Sequence, residues 1–408
     1  LHIQGKNNPN DASRASFATE RNCKEHGPTC CYVAGMALRI GIVGGSMGGL
    51  FAASVLRAAG HDVHVFERSA RGLEGRGAGL VGQRELYAIL RMLGCEQAAR
   101  VGVPAHERIT FARNGSIAQR EVMPQTQISW DHLYRTVRYL LPPAAYRGGA
   151  RVVRVENSAS SAAAIVLEDG DVLRFDLVIG ADGVGSVVRP AVSHGPTASL
   201  YAGYVAWRGL IPESNLPGEA SAVLSDRFAF YHMHGSQILG YLVPGPGGET
   251  APGQRRYNWV WYRQATEGAA LDRWLTGSDG RLREFSVARG EVSGALCDEL
   301  LAAAREALPA PFALAVAAEP TPSIQAIFDY ESTRMARDRV ALLGDAAFVV
   351  RPHTAMGVAK AAGDAMALAA ALGRLPLEKA LVVYEAERLA EGHRLVVYGR
   401  ELGRPLTL

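Results

Sequence analysis

Apolar residues run almost unbroken through LRIGIV (38–43), the pattern of a short strand buried on both faces. A glycine-rich turn, GGSMGG (44–49), follows it. LFAASVLRAAG (50–60) then carries apolar residues at helical spacing, and HDVHVFER (61–68) returns to alternation. Strand, glycine turn, helix and strand in that order make a βαβ unit.

Farther along, residues 86–93 read as a helix, and ARVVRVEN, AAIVLED and VLRFDLVIGADG as three strands with turns at 158–161 and 169–170. The pattern changes between 201 and 263. YVAWRGLI, FAFYHMH, QILGYLVPG and YNWVWYR are short, rich in β-branched and aromatic residues, and separated by Gly/Pro turns, which predicts an antiparallel sheet. Residues 271–308 read as mostly helical, RVALLGDAA as a buried strand, and 358–372 and 377–402 as helices. The predicted fold class is α/β. A Rossmann-like domain is formed by residues 36–194 and 324–408, ends in C-terminal helices, and is interrupted by an antiparallel β-sheet domain over 195–323. Residues 1–35 are polar, aperiodic and without the apolar core of a signal peptide, so a disordered extension ahead of a natural start at Met36 is expected.

Charge and cysteine content remove several functions. With 43 basic and 40 acidic residues the net charge is +3, and no dense Lys/Arg run points to nucleic acid. The uncharged stretch 40–56 is marginal in length and interrupted by glycines, which argues against a membrane span. Five cysteines (Cys23, Cys30, Cys31, Cys95, Cys297) form no C-x-x-C pair, so no metal site is expected and a reduced, cytoplasmic setting is.

The opening turn carries the first candidate chemistry. A dinucleotide-binding turn needs a tight bend at its first glycine, close backbone approach to a pyrophosphate, and helix–strand packing at its last glycine. Gly44 and Gly49 supply the outer two, while Ser46 stands at the middle position beside Gly45. A serine hydroxyl can donate to phosphate there, with the helix N-terminus completing the anion site. Glu67, with Arg68 next to it, closes the second strand, where a carboxylate accepts from ribose hydroxyls. The turn alone fits NAD as well as FAD, and its bland alternative is helix–sheet packing with Glu67 solvated.

DLVIGADGVGSVVR (176–189) and RVALLGDAAFVVRPHTAMGVAKAAGDAMALAAAL (339–372) resemble the second and third motifs of the para-hydroxybenzoate hydroxylase family of flavin monooxygenases. With the opening turn, three motifs occur in the family's order over nearly the whole chain. The resemblance implies a resident FAD, a transient NADH or NADPH, and O₂ as co-substrate, with one oxygen atom passed to an activated aromatic ring. It implies that Asp182 and Gly183 serve FAD and the nicotinamide donor, and that Gly344, Asp345, Pro352 and Gly357 line the flavin. Asp345 would accept from ribityl hydroxyls, and the helix starting near Gly357 would aim its dipole at the ring. The alternative for both aspartates is turn or helix capping. YAGYVAWRGLIP (201–212), the serine of GGSMGG and GDAAFVVRPHTAMGVAKA are similar to the branch that hydroxylates dihydroxypyridines. The chain departs from the wider family at Phe348 (usually His), at Ala355 and Ala359 (usually Gly and Asn), and at Trp130, where an arginine commonly contacts flavin.

Such a reaction needs a ring hydroxyl ionised in a water-excluding pocket. His353, after Pro352, is the candidate proton acceptor, since an unperturbed histidine titrates near 6.5. Tyr241 is the candidate catalytic tyrosine, with a core tyrosine as its alternative. His232, two residues from Phe230, is a candidate for the same wall, against an ordinary satisfied histidine. Val81 is expected over the ring. Arg208 would pair with a carboxylate structurally or attract an anionic substrate. The resulting expectation is hydroxylation of an electron-rich ring, 2,6-dihydroxypyridine first. Salicylate, hydroxybenzoate and hydroxynicotinate are rival rings, and a non-hydroxylating FAD-binding electron carrier is the rival class. A homodimer is compatible with the sequence.

Overall fold

In the computed structural model the described residues are 37–75, 77, 79–159 and 161–407, so the expectations for residues 1–35 and for Cys23, Cys30 and Cys31 lie outside them. The first layer is a six-stranded sheet in the order Ala336–Arg337, Val340–Leu342, Leu177–Gly180, Arg39–Val43, Asp62–Glu67, Tyr146–Gly148. All its pairings are parallel except the one between Ala336–Arg337 and Val340–Leu342. Ile40, Ile42, Val63, Val65, Ile179 and Leu342 are fully buried, as the unbroken apolar runs require when both faces of a parallel sheet are covered.

Helices Met47–Ala58 and Gly357–Leu372 pack on each other along one face. The other face carries a three-stranded antiparallel sheet (Val152–Glu156, Ala163–Leu167, Val172–Phe175). There Ile165 and Phe175 press so closely on Gly41 that a Cβ would collide with both. The run VLRFDLVIG, expected as one strand, divides at Asp176. Its first half joins the antiparallel sheet and its second the parallel one, while the Asp176 carboxylate accepts from the backbone N–H of Arg39 at 2.8 Å.

A second, larger sheet runs Ser286–Val287, Ser323–Glu331, Leu200–Pro212, Arg256–Gln264, Ser236–Val243, Arg227–Met233, Glu107–Phe111, Ile117–Glu121. Its four central strands are the ones the alternation of residues 201–263 predicts. Glu107–Phe111 and Ile117–Glu121, from within the expected first part of the Rossmann-like domain, extend it at one edge. One face (Val205, Trp207, Tyr257, Trp259, Trp261) packs into a core shared with helices Gly294–Ala307 and Ala310–Ala317. The opposite face presents Tyr204, Ala206, Val260 and Tyr262. Residues 276–293, expected as helix, are irregular apart from Ser286–Val287, and Gly280 and Gly290 adopt positive φ within them. Phe348–Val349 pairs with the end of Ser323–Glu331, which fixes the GDAA loop to the large sheet.

Candidate active site

The glycine turn is built by steric necessity. Gly44 has φ +104°, and a Cβ there would run into the carbonyl of Ala181; a Cβ on Gly49 would run into the carbonyl of Gly44. Above the turn lies a cavity of about 370 Å³ lined by Gly44, Ser46, Glu67, Arg68, Asp182 and Gly183, with Phe66, Leu73, Trp130 and Val152 as apolar walls. The sequence-predicted residues of the dinucleotide half therefore converge, apart from Gly45 and Gly49, which form the turn beneath. Ser46 is the N-cap residue of Met47–Ala58, and its side chain makes no capping bond. The buried Glu67 carboxylate accepts from the N–H groups of Gly45 (2.9 Å) and Ser69 (2.8 Å), which holds the second strand's end against the turn. Trp130 stacks on Tyr134 with ring centroids 5.0 Å apart, so the residue that replaces the family's arginine forms an aromatic wall.

Asp182 does the capping duty weighed from sequence. It accepts from Ser186 Oγ (2.6 Å), Val187 N–H (2.7 Å) and Val188 N–H (3.3 Å), and burial raises its pKa. Asp345 differs. It is exposed, and its carboxylate has no hydrogen-bond or ion-pair partner among the described residues. Surrounding protein raises its pKa by desolvation, against the charges of Lys360 and Arg189. Gly344, at φ +59°, donates its N–H to Asp364 (2.9 Å), and Asp364 also accepts from Arg388 Nε (2.8 Å). Lys360 Nζ sits 3.8 Å from Asp364, buried and without a hydrogen bond among the described residues. Arg189, the last residue of the second motif, donates to the carbonyls of Gly183, Val184, Asp345 and Ala346 and so ties the two motif loops together. Nothing in the sequence around Arg189 signals this tie. Phe348 is buried against Gly392 and His393 of the C-terminal helix, so the departure at this position serves core packing.

FAD fits this donor set. Two glycines with no room for a side chain, a helix N-terminus and an exposed carboxylate left unpaired match its pyrophosphate and hydroxyl groups.

Next to the third motif, Pro352 opens a short 3₁₀ turn that carries His353, and Ala355 closes it in the left-handed region at φ +54°. Gly357 begins the following helix. His353 Nε2 lies 2.9 Å from Tyr204 Oη, and its ring centroid is 4.2 Å from that of Tyr262. Burial, then the charges of Arg351 and Arg208, lower its pKa to about 4. Arg351 is itself held by a two-pronged pair with Asp329 (2.9 and 2.7 Å). The Tyr241 phenol is pushed up to about 12 by burial, against the charge of Arg208, and donates to Gly79 O at 3.4 Å. Arg208 thus acts on His353, Tyr241 and Tyr262 together, yet has no ion pair or hydrogen bond among the described residues. Of the residues predicted for the substrate wall, His353 and Tyr241 come under this one cation.

Val81 is half-buried at the end of strand Gly79–Val81, which lies against Tyr241 and Val243 through Gly79. His232 shares the sheet face of Tyr241 but lies farther along it. It stacks on Phe230 (6.0 Å) beside a separate pocket of about 230 Å³ shared with Arg108, Thr110, Gln119 and Glu121. Tyr204, Tyr262 and Asn258 were missed from sequence; the alternation of AGYVAWRG and YNWVWYR places Tyr204 with Arg208 and Asn258 with Tyr262, each pair on one face, but not which face meets the cleft.

A parallel sheet ending in a glycine turn, two aspartate loops and a polar-faced antiparallel sheet define a flavin-dependent monooxygenase. The family described as FAD binding domain matches residues 37–217 and 309–397, and a second described as FAD binding domain-like matches 201–329. The chain belongs to this FAD-binding family of oxidoreductases. It is 33% identical over 362 residues to 2,6-dihydroxypyridine 3-monooxygenase of Paenarthrobacter nicotinovorans, covering 87% of this chain and 88% of that one. It is 30% identical to 3-amino-4-hydroxybenzoate 2-monooxygenase of Streptomyces cremeus, covering 88% and 85%. The solved structure of 2,6-dihydroxypyridine-3-hydroxylase from Arthrobacter nicotinovorans superposes with a TM-score of 0.85 at 30% identity, over 91% of this chain and 93% of that one. Among the described residues, no helix is long and apolar enough to cross a membrane, and no group of three metal-ligating side chains occurs.

Proposed function

We propose that this enzyme hydroxylates an ionisable hydroxypyridine, with 2,6-dihydroxypyridine as the best candidate, using NADH or NADPH and O₂. The balance is ring C–H, NAD(P)H, H⁺ and O₂ giving ring C–OH, NAD(P)⁺ and water. FAD, when bound, supplies the electron transfer from the nicotinamide and the activation of O₂. Gly44, Ser46, Glu67 and Asp182 would hold its dinucleotide half, and Asp345 with the N-terminus of Gly357–Leu372 its ribityl and ring half.

The observation that carries the reading is the cation field around His353. Two guanidinium groups and burial keep the imidazole neutral, and the same field stabilises an oxyanion placed there. A ring hydroxyl in this position loses its proton more easily, and the resulting oxide enriches the ring in electrons. His353, held at Nε2 by Tyr204, accepts a hydrogen bond from the hydroxyl, while Arg208 faces the charge that forms. Tyr241, Phe228 and the Gly79–Val81 strand close the apolar side and exclude water. The rings in two relatives' names, a dihydroxypyridine and an aminohydroxybenzoate, both carry such a hydroxyl. Arg208 also supports a second reading, a carboxylate-bearing ring such as salicylate.

The test is NADH and NADPH consumption by FAD-loaded enzyme with 2,6-dihydroxypyridine, salicylate, 4-hydroxybenzoate and 6-hydroxynicotinate, each with product analysis. Stimulation and hydroxylated product from the pyridine diol alone is the expected result. Stimulation by a benzoate alone replaces the substrate. Nicotinamide oxidation that no ring changes refutes the hydroxylase reading in favour of an electron carrier.

A further inference from the structure

Asn258 lies mid-strand in Arg256–Gln264, opposite Leu210 on one neighbouring strand and Tyr241 on the other. Opposed residues of an antiparallel ladder project from the same face. The Asn258 amide therefore shares the face of Tyr241, Val260 and Tyr262, and of Arg208, which pairs with Val260 one step along. It is 1% exposed, and neither Nδ2 nor Oδ1 has a hydrogen-bond partner among the described residues. Arg208 Nε on this same face is likewise buried and unpaired. A buried amide with both atoms unpaired is costly, and here two unpaired polar groups flank the side chains proposed to meet the substrate.

We propose that Asn258 determines ring specificity by pairing with the cyclic-amide edge of a 2-hydroxypyridine. This rests on the hydroxylase reading above and deepens it. In the lactam form the ring N–H donates to Oδ1 and the adjacent C=O accepts from Nδ2, a complementary two-bond contact. Arg208 meets the ionised oxygen that flanks the ring nitrogen on its other side. A phenol or benzoate presents C–H where the pyridine presents N–H and leaves Oδ1 buried without a donor. A site built to hydrogen-bond a group rejects the isostere that lacks it.

The probe pair is 2,6-dihydroxypyridine and resorcinol, which carry the same two hydroxyls with and without the ring nitrogen. Dissociation constants are read from the flavin absorbance change of FAD-loaded enzyme, without NAD(P)H. Wild type is expected to prefer the pyridine on the order of 10- to 100-fold. Asn258→Leu should erase the preference by weakening the pyridine alone and leave resorcinol and FAD affinity within about threefold. If Asn258→Leu does not fold, Asn258→Thr, which fits a strand, must lower the same ratio. An unchanged ratio in a folded variant overturns the proposal, since an amide satisfied by buried water would stabilise the fold without reading the ring. Equal wild-type affinity for the two rings overturns it while the hydroxylase reading stands. If neither ring binds and none stimulates NAD(P)H consumption, both fall.

Discussion

Replacing His353 by glutamine isolates a pH-dependent term in stability that follows from the geometry. An ordinary histidine titrates at 6.5, whereas folding lowers His353 to about 4 through burial and the neighbouring charges of Arg351 and Arg208. Above pH 6.5 the imidazole is neutral in both states and contributes no pH-dependent term. As pH falls below 6.5 the unfolded chain takes the proton first, so stability is lost, and the loss levels off below about 4. The full difference corresponds to about 3 kcal/mol, and ~2 kcal/mol of it is gone by pH 5. Many carboxylates titrate over the same range, but they cancel when wild type and His353→Gln are compared at each pH. Losing the 2.9 Å contact with Tyr204 adds a constant offset and not a slope. The assay is urea unfolding of both proteins from pH 7.5 to 4.5, with FAD at equal saturation. Wild type should lose about 2 kcal/mol relative to the variant between pH 7 and 5. Parallel curves would show that His353 protonates freely in the folded enzyme, and the cation field invoked for the substrate oxyanion would fall with them.

Asp364→Ala removes the carboxylate shared by Arg388 and Lys360 and should cost about 3–5 kcal/mol in urea unfolding, while Asp364→Asn, which loses the same charge but keeps an acceptor, should cost less. Asp345→Ala removes a carboxylate with no protein partner, so FAD affinity by fluorescence titration should fall on the order of 10- to 100-fold, with unfolding in the absence of FAD unchanged or improved. Ala355 holds φ +54°, where a β-branched side chain is a steric outlier. Ala355→Gly should stay within about 1 kcal/mol of wild type, and Ala355→Val should lower the melting temperature by several degrees.

The parallel sheet and the glycine turn were legible because each rests on a local pattern. Unbroken apolar runs can be buried only on both faces, and Gly49 is fixed by the Gly44 carbonyl within one βαβ unit, although Gly44 itself is fixed by the distant Ala181 carbonyl. The strands at 107–111, 117–121 and 125–129 were not read, because polar residues such as Gln119, Arg120 and Gln125 break the alternation. The strand at 117–121 is an exposed edge, while 125–129 is the middle strand of a small three-stranded sheet and buries Gln127 and Ser129. Arg189 was unreadable as a tie between motif loops, since its acceptors at Asp345 and Ala346 are more than 150 residues away in sequence. Alternation groups Tyr204 with Arg208, and Asn258 with Tyr262, but only the register against Leu200–Pro212 and Ser236–Val243 brings them to one face, beside Tyr241.

His353 shows where residue type misleads. Its unperturbed pKa of 6.5 suggests a proton acceptor that titrates during catalysis. In the fold, Arg351 is paired with Asp329 and Arg208 has no partner among the described residues, and both positive charges act on the buried imidazole. The acidity that the reaction requires then belongs to the substrate hydroxyl, whose oxide the same cations favour, and the histidine need only guide a hydrogen bond. A kcat profile for such a site should follow the ionisation of the bound ring. Replacing Arg208 by methionine, which keeps the stem and removes the charge, should move the profile's acid limb to higher pH while raising the pKa of His353. Those two shifts share one cause and must appear together. A moved kcat profile with an unmoved histidine, followed by NMR, would assign the charge at Arg208 to the substrate alone.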